Sequence, residues 1–276
     1  MHNQKVIRTP MRYLRLISSL LLIVVMFSSL FLVEPRPALA ANFTISTFAD
    51  APDLTPSNAT CDTALGVCTL RAAIQTAQRS STPPDVITLR AGVYTLSVTG
   101  ANETSGASGD LNIRRRSMTI NGAGKGITII DAQNIDRVFH IDFGRNPGDP
   151  QLEVTISNLT IRNGRAPSGD GGGILLRNGN LTLQNVEIIN NTVAGGTDSG
   201  GGGGGIFVRD ASGDSSVPNY NTLTMENVTV NGNVVERNSS GGNGGGGISI
   251  SKTRLQLFAI ALFPIIQPPR VVVACI

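Results

Sequence analysis

One stretch decides the fold of this chain: Val154-Thr155-Ile156-Ser157-Asn158-Leu159-Thr160-Ile161. It has two counterparts downstream, LTLQNVEI at 181–188 and LTMENVTV at 223–230. The central residues of the three stretches are Asn158, Asn185 and Asn227. Apolar residues alternate on either side of the asparagine, which is the period of a β-strand, but the alternation shifts by one residue across it. A sharp bend at the asparagine directs all the apolar side chains inward, because asparagine tolerates the left-handed backbone conformation. Each stretch is therefore predicted to be two short strands meeting at a corner.

A second motif, Gly-Gly-Gly-Ile, recurs with the first and ends at Ile174, Ile206 and Ile248. From the end of a corner stretch to the next such isoleucine is 18 residues both times (188 to 206, 230 to 248). The extra length of the second repeat falls in one loop, around 210–221. Three short strands with an asparagine corner and variable loops are typical of one coil of a β-helix. The predicted fold class is all-β, a right-handed parallel β-helix (a solenoid).

Weaker versions of the apolar pairs occur upstream, at Leu111/Ile113, Met118/Ile120, Ile127/Ile129 and Phe139/Ile141/Phe143. They extend the array to roughly five or six coils. Asn158, Asn180 and Asn227 also begin Asn-x-Thr triplets, which are glycosylation acceptors. A corner role explains Asn158 and Asn227 more simply.

The segment before the array has the pattern of a short capping helix. Its apolar residues have the i, i+3, i+4, i+7 spacing of one helix face, with Thr69 as the N-cap; they are Leu70, Ala73, Ile74 and Ala77. An amphipathic helix there covers the exposed strand edges of the first coil. Cys61 and Cys68 are predicted to form a disulfide in the loop before the helix. Metal binding is the alternative, but Cys275 and His140 do not have ligand spacing relative to them.

This N-terminal segment resembles the CSLREA domain, an exported bacterial module. Cys68-Thr69-Leu70-Arg71-Ala72-Ala73-Ile74 matches its motif, with Thr69 in place of serine and Ala72 in place of the family's glutamate. The similarity covers 43–143 and continues through the 50–61 loop and the segments Asp85–Leu89, Gly92–Leu96, Thr119–Gly124 and Asp136–Phe139. The remainder is similar to pectin-lyase-like β-helix arrays and, more weakly, to repeats of polymorphic outer-membrane proteins. The resemblance implies a surface or extracellular protein without a defined activity.

The excess of positive charge lies in the first 40 residues of the chain. The whole chain has a net charge of +3, but residues 1–40 contribute 5 basic and 1 acidic side chain, which leaves 17 basic and 18 acidic in 41–276. A net charge of −1 is not the electrostatic signature of a nucleic-acid-binding protein. The segment 1–40 combines a basic start, an apolar run and Ala38-Leu39-Ala40, which predicts a secretory signal peptide and a secreted or cell-surface location. An uncleaved membrane anchor is the alternative.

Candidate catalytic residues lie on one predicted strand face. If the flanking aromatic and aliphatic residues point inward, His140 and Asp142 point outward, and Arg177 and Arg209 take equivalent positions after their Gly-Gly-Gly-Ile motifs. Such a row could bind and deprotonate a uronic acid. Water alone also selects polar residues at outward positions, and we favour that explanation. Neither a metal nor a cofactor is predicted, and the rings expected to be exposed for sugar stacking are only Tyr94, Phe207 and Tyr220.

The predicted organisation has four parts: a signal peptide at 1–40, a CSLREA-like cap at 41–110, β-helix coils at 111–251, and an atypical tail at 252–276. The tail has no glycine, asparagine or acidic residue. It either caps the coils or is a truncated or frameshifted end. The predicted function is a structural or adhesive surface protein that binds an extracellular glycan or surface protein. The alternative is a polysaccharide lyase or hydrolase acting on acidic glycans.

Overall fold

A computed structural model describes residues 40–79, 84–101, 103–142, 152–167, 170–196, 202–209, 221–237, 245–251 and 256–259. All of them belong to one compact unit, Ala40–Ile276. Strands account for 46% of the described residues, the sheets are parallel, and the single helix within these ranges is α1, Leu70–Ala77. The strand-rich, parallel character predicted from the sequence is confirmed. No helix in these ranges is long and apolar enough to cross a bilayer.

The described strands form three parallel sheets. The first contains β1 (Asn42–Ile45), β2 (Asp85–Leu89), β3 (Gly92–Thr95), β5 (Met118–Asn121), β6 (Thr128–Asp131), β8 (Glu153–Arg162), β11 (Asn180–Ile189), β14 (Thr222–Glu226), β15 (Thr229–Asn231) and β18 (Gln256–Ala259). The second contains β4 (Leu111–Ile113), β7 (Phe139–Asp142), β10 (Ile174–Arg177), β13 (Ile206–Arg209) and β17 (Ile248–Ser251). The third contains β9 (Arg165–Ala166), β12 (Thr192–Gly196) and β16 (Val234–Arg237).

Equivalent residues of successive repeats pair in register, which places like side chains on one another. Ile174 pairs with Phe139 on one side and with Ile206 on the other, and Leu181 pairs with Val154 and Leu223. All six of these side chains are buried. Because the side-chain period of a strand is two, this register places these inward apolar positions over one another from one strand to the next. One core runs along the first and second sheets as a result.

The asparagine corners have the backbone that the sequence pattern requires. φ is 56° at Asn158, 53° at Asn185 and 52° at Asn227, all in the left-handed region. The Asn185 side chain donates from Nδ2 to Asn158 Oδ1 at 2.8 Å, and Asn227 donates in the same way to Asn185 Oδ1 at 3.0 Å. β8 and β11 continue through the corner as single ten-residue strands, whereas β14 and β15 are separate. The bend therefore does not end the strand in every repeat.

The Gly-Gly-Gly-Ile segments lie where backbones of neighbouring repeats approach closely. A Cβ added at Gly172 would lie 2.4 Å from Thr192 O and 2.6 Å from Gly204 O. A Cβ added at Gly204 would lie 2.6 Å from Gly246 O. Only glycine fits these positions, because the obstructing atoms are backbone. The glycine excess is thus part of the packing between strands.

Helix α1 begins and ends as the sequence predicts, but it is more deeply buried. The Thr69 hydroxyl accepts a hydrogen bond from Ala72 N at 3.1 Å, which is the predicted N-cap. All eight helical residues are buried, whereas the pattern predicted one buried face. The second side is covered by polar contacts from the preceding loop: Gln75 Oε1 accepts from Asp53 N at 2.7 Å. The predicted Cys61–Cys68 disulfide closes that loop and is confirmed.

Two upstream details differ from the sequence prediction. In β6 the inward residues are Thr128 and Ile130, not the predicted pair Ile127/Ile129, and Ile127 is 54% exposed. The apolar triplet 127, 129 and 130 leaves the parity of the strand ambiguous, and pairing with β3 resolves it. In the atypical tail, β18 pairs with β14 in register, so four residues of the tail extend the first sheet. Phe143 lies outside the described residues, and so do the tail residues other than 256–259.

Candidate functional site

Three of the four candidate catalytic residues come together on the second sheet. His140 and Asp142 lie on β7, and Arg177 of β10 pairs in register with Asp142. Asp142 Oδ2 lies 3.8 Å from His140 Nε2 and 3.6 Å from Arg177 Nη1. Arg209 of β13 continues the row, but its guanidinium donates to Asp170 instead. Asp170, which lies shortly before β10 in a glycine-rich segment, is therefore the partner of the fourth residue.

The row is not the exposed surface that the strand alternation predicted. His140 is 7% exposed and Asp142 is 8% exposed, while Arg177 is half-buried and Arg209 is exposed. The residue next to His140 in the same row, Leu175, is buried as well. Alternation assigns a side chain to one side of a strand, but whether that side faces water depends on what packs over it. The prediction that His140 and Asp142 form a solvent-exposed surface row is therefore wrong.

Burial and neighbouring charge determine the protonation state of His140. Burial lowers its pKa from 6.5 to about 3, and the positive charges of Arg137, Arg177 and Arg114 act in the same direction. The imidazole is consequently neutral at physiological pH. Its Nε2 atom and the Nε atom of Arg177 are buried and have no hydrogen-bond partner. These two groups can hydrogen-bond a hydroxyl or carboxylate that reaches them.

The site is a poor match for general-base catalysis. A general base works best when its pKa lies near the working pH, and a histidine with a pKa of about 3 accepts a proton weakly. Two of the rings expected to stack on sugars are also inaccessible, since Tyr94 is 2% and Phe207 is 1% exposed. Tyr220 lies outside the described residues. Among the described residues, no group of three potential metal ligands occurs.

A second polar cluster was missed by the sequence analysis. Asp110, just before β4, accepts a hydrogen bond from Arg137 Nη1 at 3.1 Å, and both side chains are buried. Burial raises the pKa of Asp110 to about 7; Asp136 and Glu103 contribute in the same direction, and Arg137 opposes them. Arg137 lies in Asp136–Phe139, one of the segments that carry the predicted CSLREA resemblance, and this was a signal for it in the sequence. Nothing local distinguishes Asp110 from a turn aspartate.

No match is found among family models, curated proteins or solved structures. The resemblance of residues 43–143 to the CSLREA domain stays a prediction. The function of this chain is therefore argued from the geometry of the described residues.

Proposed function

We propose that this chain is an exported, right-handed parallel β-helix with a structural or adhesive role at the cell surface or outside the cell. One observation carries the proposal: five strands of the second sheet, β4 to β17, follow one another in chain order with parallel, in-register pairing. Strand order that follows chain order, with strands of the first sheet in between and, from β7 onward, a strand of the third sheet as well, is the pattern of a coiled array. A crystal structure of residues 41–276 tests the winding and its hand.

The export half of the proposal rests on the sequence of residues 1–40. Their basic start, apolar run and Ala38-Leu39-Ala40 end fit a cleaved signal peptide. The disulfide Cys61–Cys68 is compatible with an oxidising compartment. Expression in a bacterial host followed by N-terminal sequencing of the exported chain is the test. A chain that stays in the cytoplasm, or that keeps its first 40 residues in the membrane, contradicts it.

The binding half of the proposal places the contacts in the loops between strands. Loops carried by a rigid scaffold are the usual location of binding residues. In the first full repeat, Arg177 is joined to Asn180 by Asn178-Gly179 alone, whereas 210–221 separates the equivalent residues Arg209 and Thr222. The repeats therefore keep one strand register with connections of very different length. The sequence pattern assigns loops to 192–205, 210–221 and 236–247, but 192–196 and 236–237 belong to strands β12 and β16. We propose that the long connections that remain, 197–205, 210–221 and 238–247, form the contact face.

The repeat itself supplies a matched variant for the binding experiment. Replacing 210–221 with Asn-Gly, the connection of the first repeat, removes the loop while keeping the strands. Wild-type residues 41–276 and this variant are applied to arrays of glycans and extracellular-matrix proteins. We expect a ligand that the wild type binds and the shortened variant does not, with equal unfolding midpoints. No ligand for the wild type, or equal binding of both chains, contradicts the proposed contact face.

A second candidate function is a polysaccharide lyase or hydrolase acting on acidic glycans. The observation that favours it is that His140 Nε2 and Arg177 Nη1 each lie within 4 Å of the Asp142 carboxylate, at 3.8 and 3.6 Å. The variants His140→Ala and Arg177→Ala test it on a panel of acidic glycans. Cleavage by the wild type that both substitutions abolish supports the enzyme. A wild type that cleaves none of them removes this candidate.

A further inference from the structure

The loop 103–110 connects helix α1 to the strands through buried polar contacts. Arg71 of α1 uses its whole guanidinium there: Nε and Nη2 donate to the Asp50 carboxylate at 2.7 and 3.0 Å. Nη1 and Nη2 also donate to the carbonyl oxygens of Gly106, Gly109 and Asp110 at 3.2, 2.7 and 3.1 Å. All five N–H groups of the guanidinium therefore have an acceptor. The position of α1 depends on the geometry of the loop that ends at Asp110.

The hydrogen bonds to the Asp110 side chain do not fully offset the free-energy cost of burying its carboxylate. It is 2% exposed, and it accepts one hydrogen bond from Arg137 Nη1 at 3.1 Å and one from Asn112 Nδ2 at 2.5 Å. Arg137 contributes a single bond, because its Nε is buried without a partner. A buried ion pair compensates for desolvation only when its geometry and remaining hydrogen bonds are good. This pair has neither a second bond nor a satisfied Nε.

The charges that face Asp110 from the surrounding segments are mostly negative. Glu103 shares the Asn112 amide with it: Asn112 Nδ2 lies 3.4 Å from Glu103 Oε1. Hydrogen bonds from Ser105 and from the backbone of the same loop outweigh burial and lower the pKa of Glu103, so this neighbour is ionised. The Asp136 carboxylate lies against the loop, since a Cβ on Gly109 would come 2.7 Å from its Oδ2.

Most of the positively charged side chains near Asp110 bond to other groups. Arg71 is paired with Asp50, and Arg114, at the end of β4, donates to Thr104 O at 3.3 Å. His140, across from Asn112 in β7, is neutral at the pH of interest because its pKa is about 3. Arg137 alone among these cations bonds to the Asp110 carboxylate. The single guanidinium bonded to Asp110 thus acts against two negative neighbours of that carboxyl, Asp136 and Glu103.

We propose that Asp110 is a pH switch: its neutral form holds loop 103–110, and with it helix α1, against β4 and β7, and its ionisation loosens that contact. The neutral form is uncharged beside Asp136 and Glu103, and it has a hydrogen to donate. Ionisation adds a negative charge beside these two carboxylates, at a position where burial leaves little solvent to stabilise it.

The direction of the switch follows from the pKa. Burial, with Asp136 and Glu103, raises the pKa of Asp110 from 3.8 to about 7 in the folded chain. Between these values the folded state holds a proton that the unfolded state has lost. Stability is therefore greatest at the acid end of this window and decreases as the pH rises through it. The contact between the loop and the strands should be firm below neutral pH and weaker above it.

The first experiment measures the protonation directly. The side-chain carboxyl carbons of the full-length chain are labelled with ¹³C at aspartate and titrated by NMR. We expect one signal with a midpoint at about pH 7, which is absent from the Asp110→Asn variant. The proposal is overturned if every aspartate signal of the wild type titrates below about pH 5, near the ordinary range of the residue. This outcome does not depend on whether the variant folds.

The second experiment measures the consequence. The urea midpoint of the full-length wild type and the rate of proteolytic cleavage within 103–110 are followed from about pH 6 to about pH 8. We expect the midpoint to fall and the cleavage to accelerate several-fold in the wild type. In Asp110→Asn neither should happen, and the low pKa of His140 should instead raise the midpoint slightly over the lower part of this pH range. Asp131→Asn is the matched control, because Asp131 is also buried and bonds to Arg162, and it should behave like the wild type. A fall in the midpoint with rising pH, or an acceleration of cleavage, that persists in Asp110→Asn overturns the proposal.

Discussion

At the scale of the residue, the asparagine corners connect sequence and structure most directly. Asn185 combines a φ of 53° with two side-chain hydrogen bonds, one donated to Asn158 and one accepted from Asn227. The left-handed conformation costs an ordinary L-residue energy that asparagine and glycine largely avoid. The corner thus requires both a tolerant backbone and an amide side chain that matches the neighbouring repeats.

Substituting Asn185 with valine should lower the free energy of unfolding by about 2–3 kcal/mol, from backbone strain and the lost amide bonds. Asn185→Gly keeps the backbone conformation and loses only the amide bonds, so it should cost about 1 kcal/mol. Urea unfolding of both variants measures the two contributions. Equal losses for valine and glycine would show that the left-handed backbone is not what the corner requires.

The low pKa of His140 predicts how the stability of the folded chain changes in acid. Its pKa is about 3 in the folded chain and 6.5 when exposed, so the unfolded chain takes up a proton first as the pH falls. The folded state should lose about 1.4 kcal/mol of stability per pH unit across this window, relative to His140→Gln. The measurement is the difference between the two unfolding curves at each pH, which removes the opposite contribution of Asp110. Parallel curves for the two chains between about pH 6.5 and pH 3 would falsify the buried, neutral state.

At the scale of the element, the sheets depend on glycines that stand where a backbone from the next repeat passes. Gly204 has carbonyl oxygens of two neighbouring segments, Gly246 and Val234, each 2.6 Å from where a Cβ would lie. Gly247, in the following repeat, is different, since the only atom near its Cβ position is Val230 Cγ1 at 3.8 Å. A methyl group added at Gly204 would therefore collide with backbone, whereas one added at Gly247 would not, although both glycines belong to Gly-Gly-Gly-Ile motifs.

Gly204→Ala should destabilise the chain by about 2 kcal/mol, because the obstructing atoms are backbone and cannot rotate away. Gly247→Ala is the control and should leave stability unchanged or slightly raised, since alanine restricts the unfolded chain. Thermal or urea unfolding of the two variants checks the pair. A larger loss for Gly247→Ala than for Gly204→Ala would mean that the strands do not approach as described.

At the scale of the whole molecule, charge decides which partners are plausible. The basic excess of the chain lies in residues 1–40, and 41–276 has 17 basic and 18 acidic side chains. The described arginines are further neutralised by ion pairs, for example Arg162 with Asp131 and Arg209 with Asp170. A surface of this kind has little long-range attraction for polyanions.

Residues 41–276 should therefore pass through a heparin column at about 0.1 M salt without retention. The full chain, with its net charge of +3, is the comparison and should be held longer. Retention of 41–276 that requires high salt for elution would reveal a basic surface and favour a polyanionic ligand after all.

The sequence by itself determined the local features of this protein. Side-chain alternation, the shift at each asparagine, the helix spacing of Leu70–Ala77 and the short cysteine separation are local, and the corresponding strands, left-handed residues, helix and disulfide are all present. It failed at β6, where Ile127, Ile129 and Ile130 fit either parity and pairing with β3 decides.

Only the tertiary structure decided which polar groups are covered and which charges meet. The alternation predicted that His140 faces solvent, yet it is buried, because cover over a sheet comes from segments distant in sequence. Arg71 reaches loop 103–110, and Arg137 reaches Asp110 across 27 residues. The protonation of His140 and Asp110 depends on that cover and on those distant charges, since desolvation is the largest cause of both shifts. A periodic sequence pattern indicates on which side of its strand a residue lies. The packing of remote segments determines whether solvent reaches that residue and which side chains contact it.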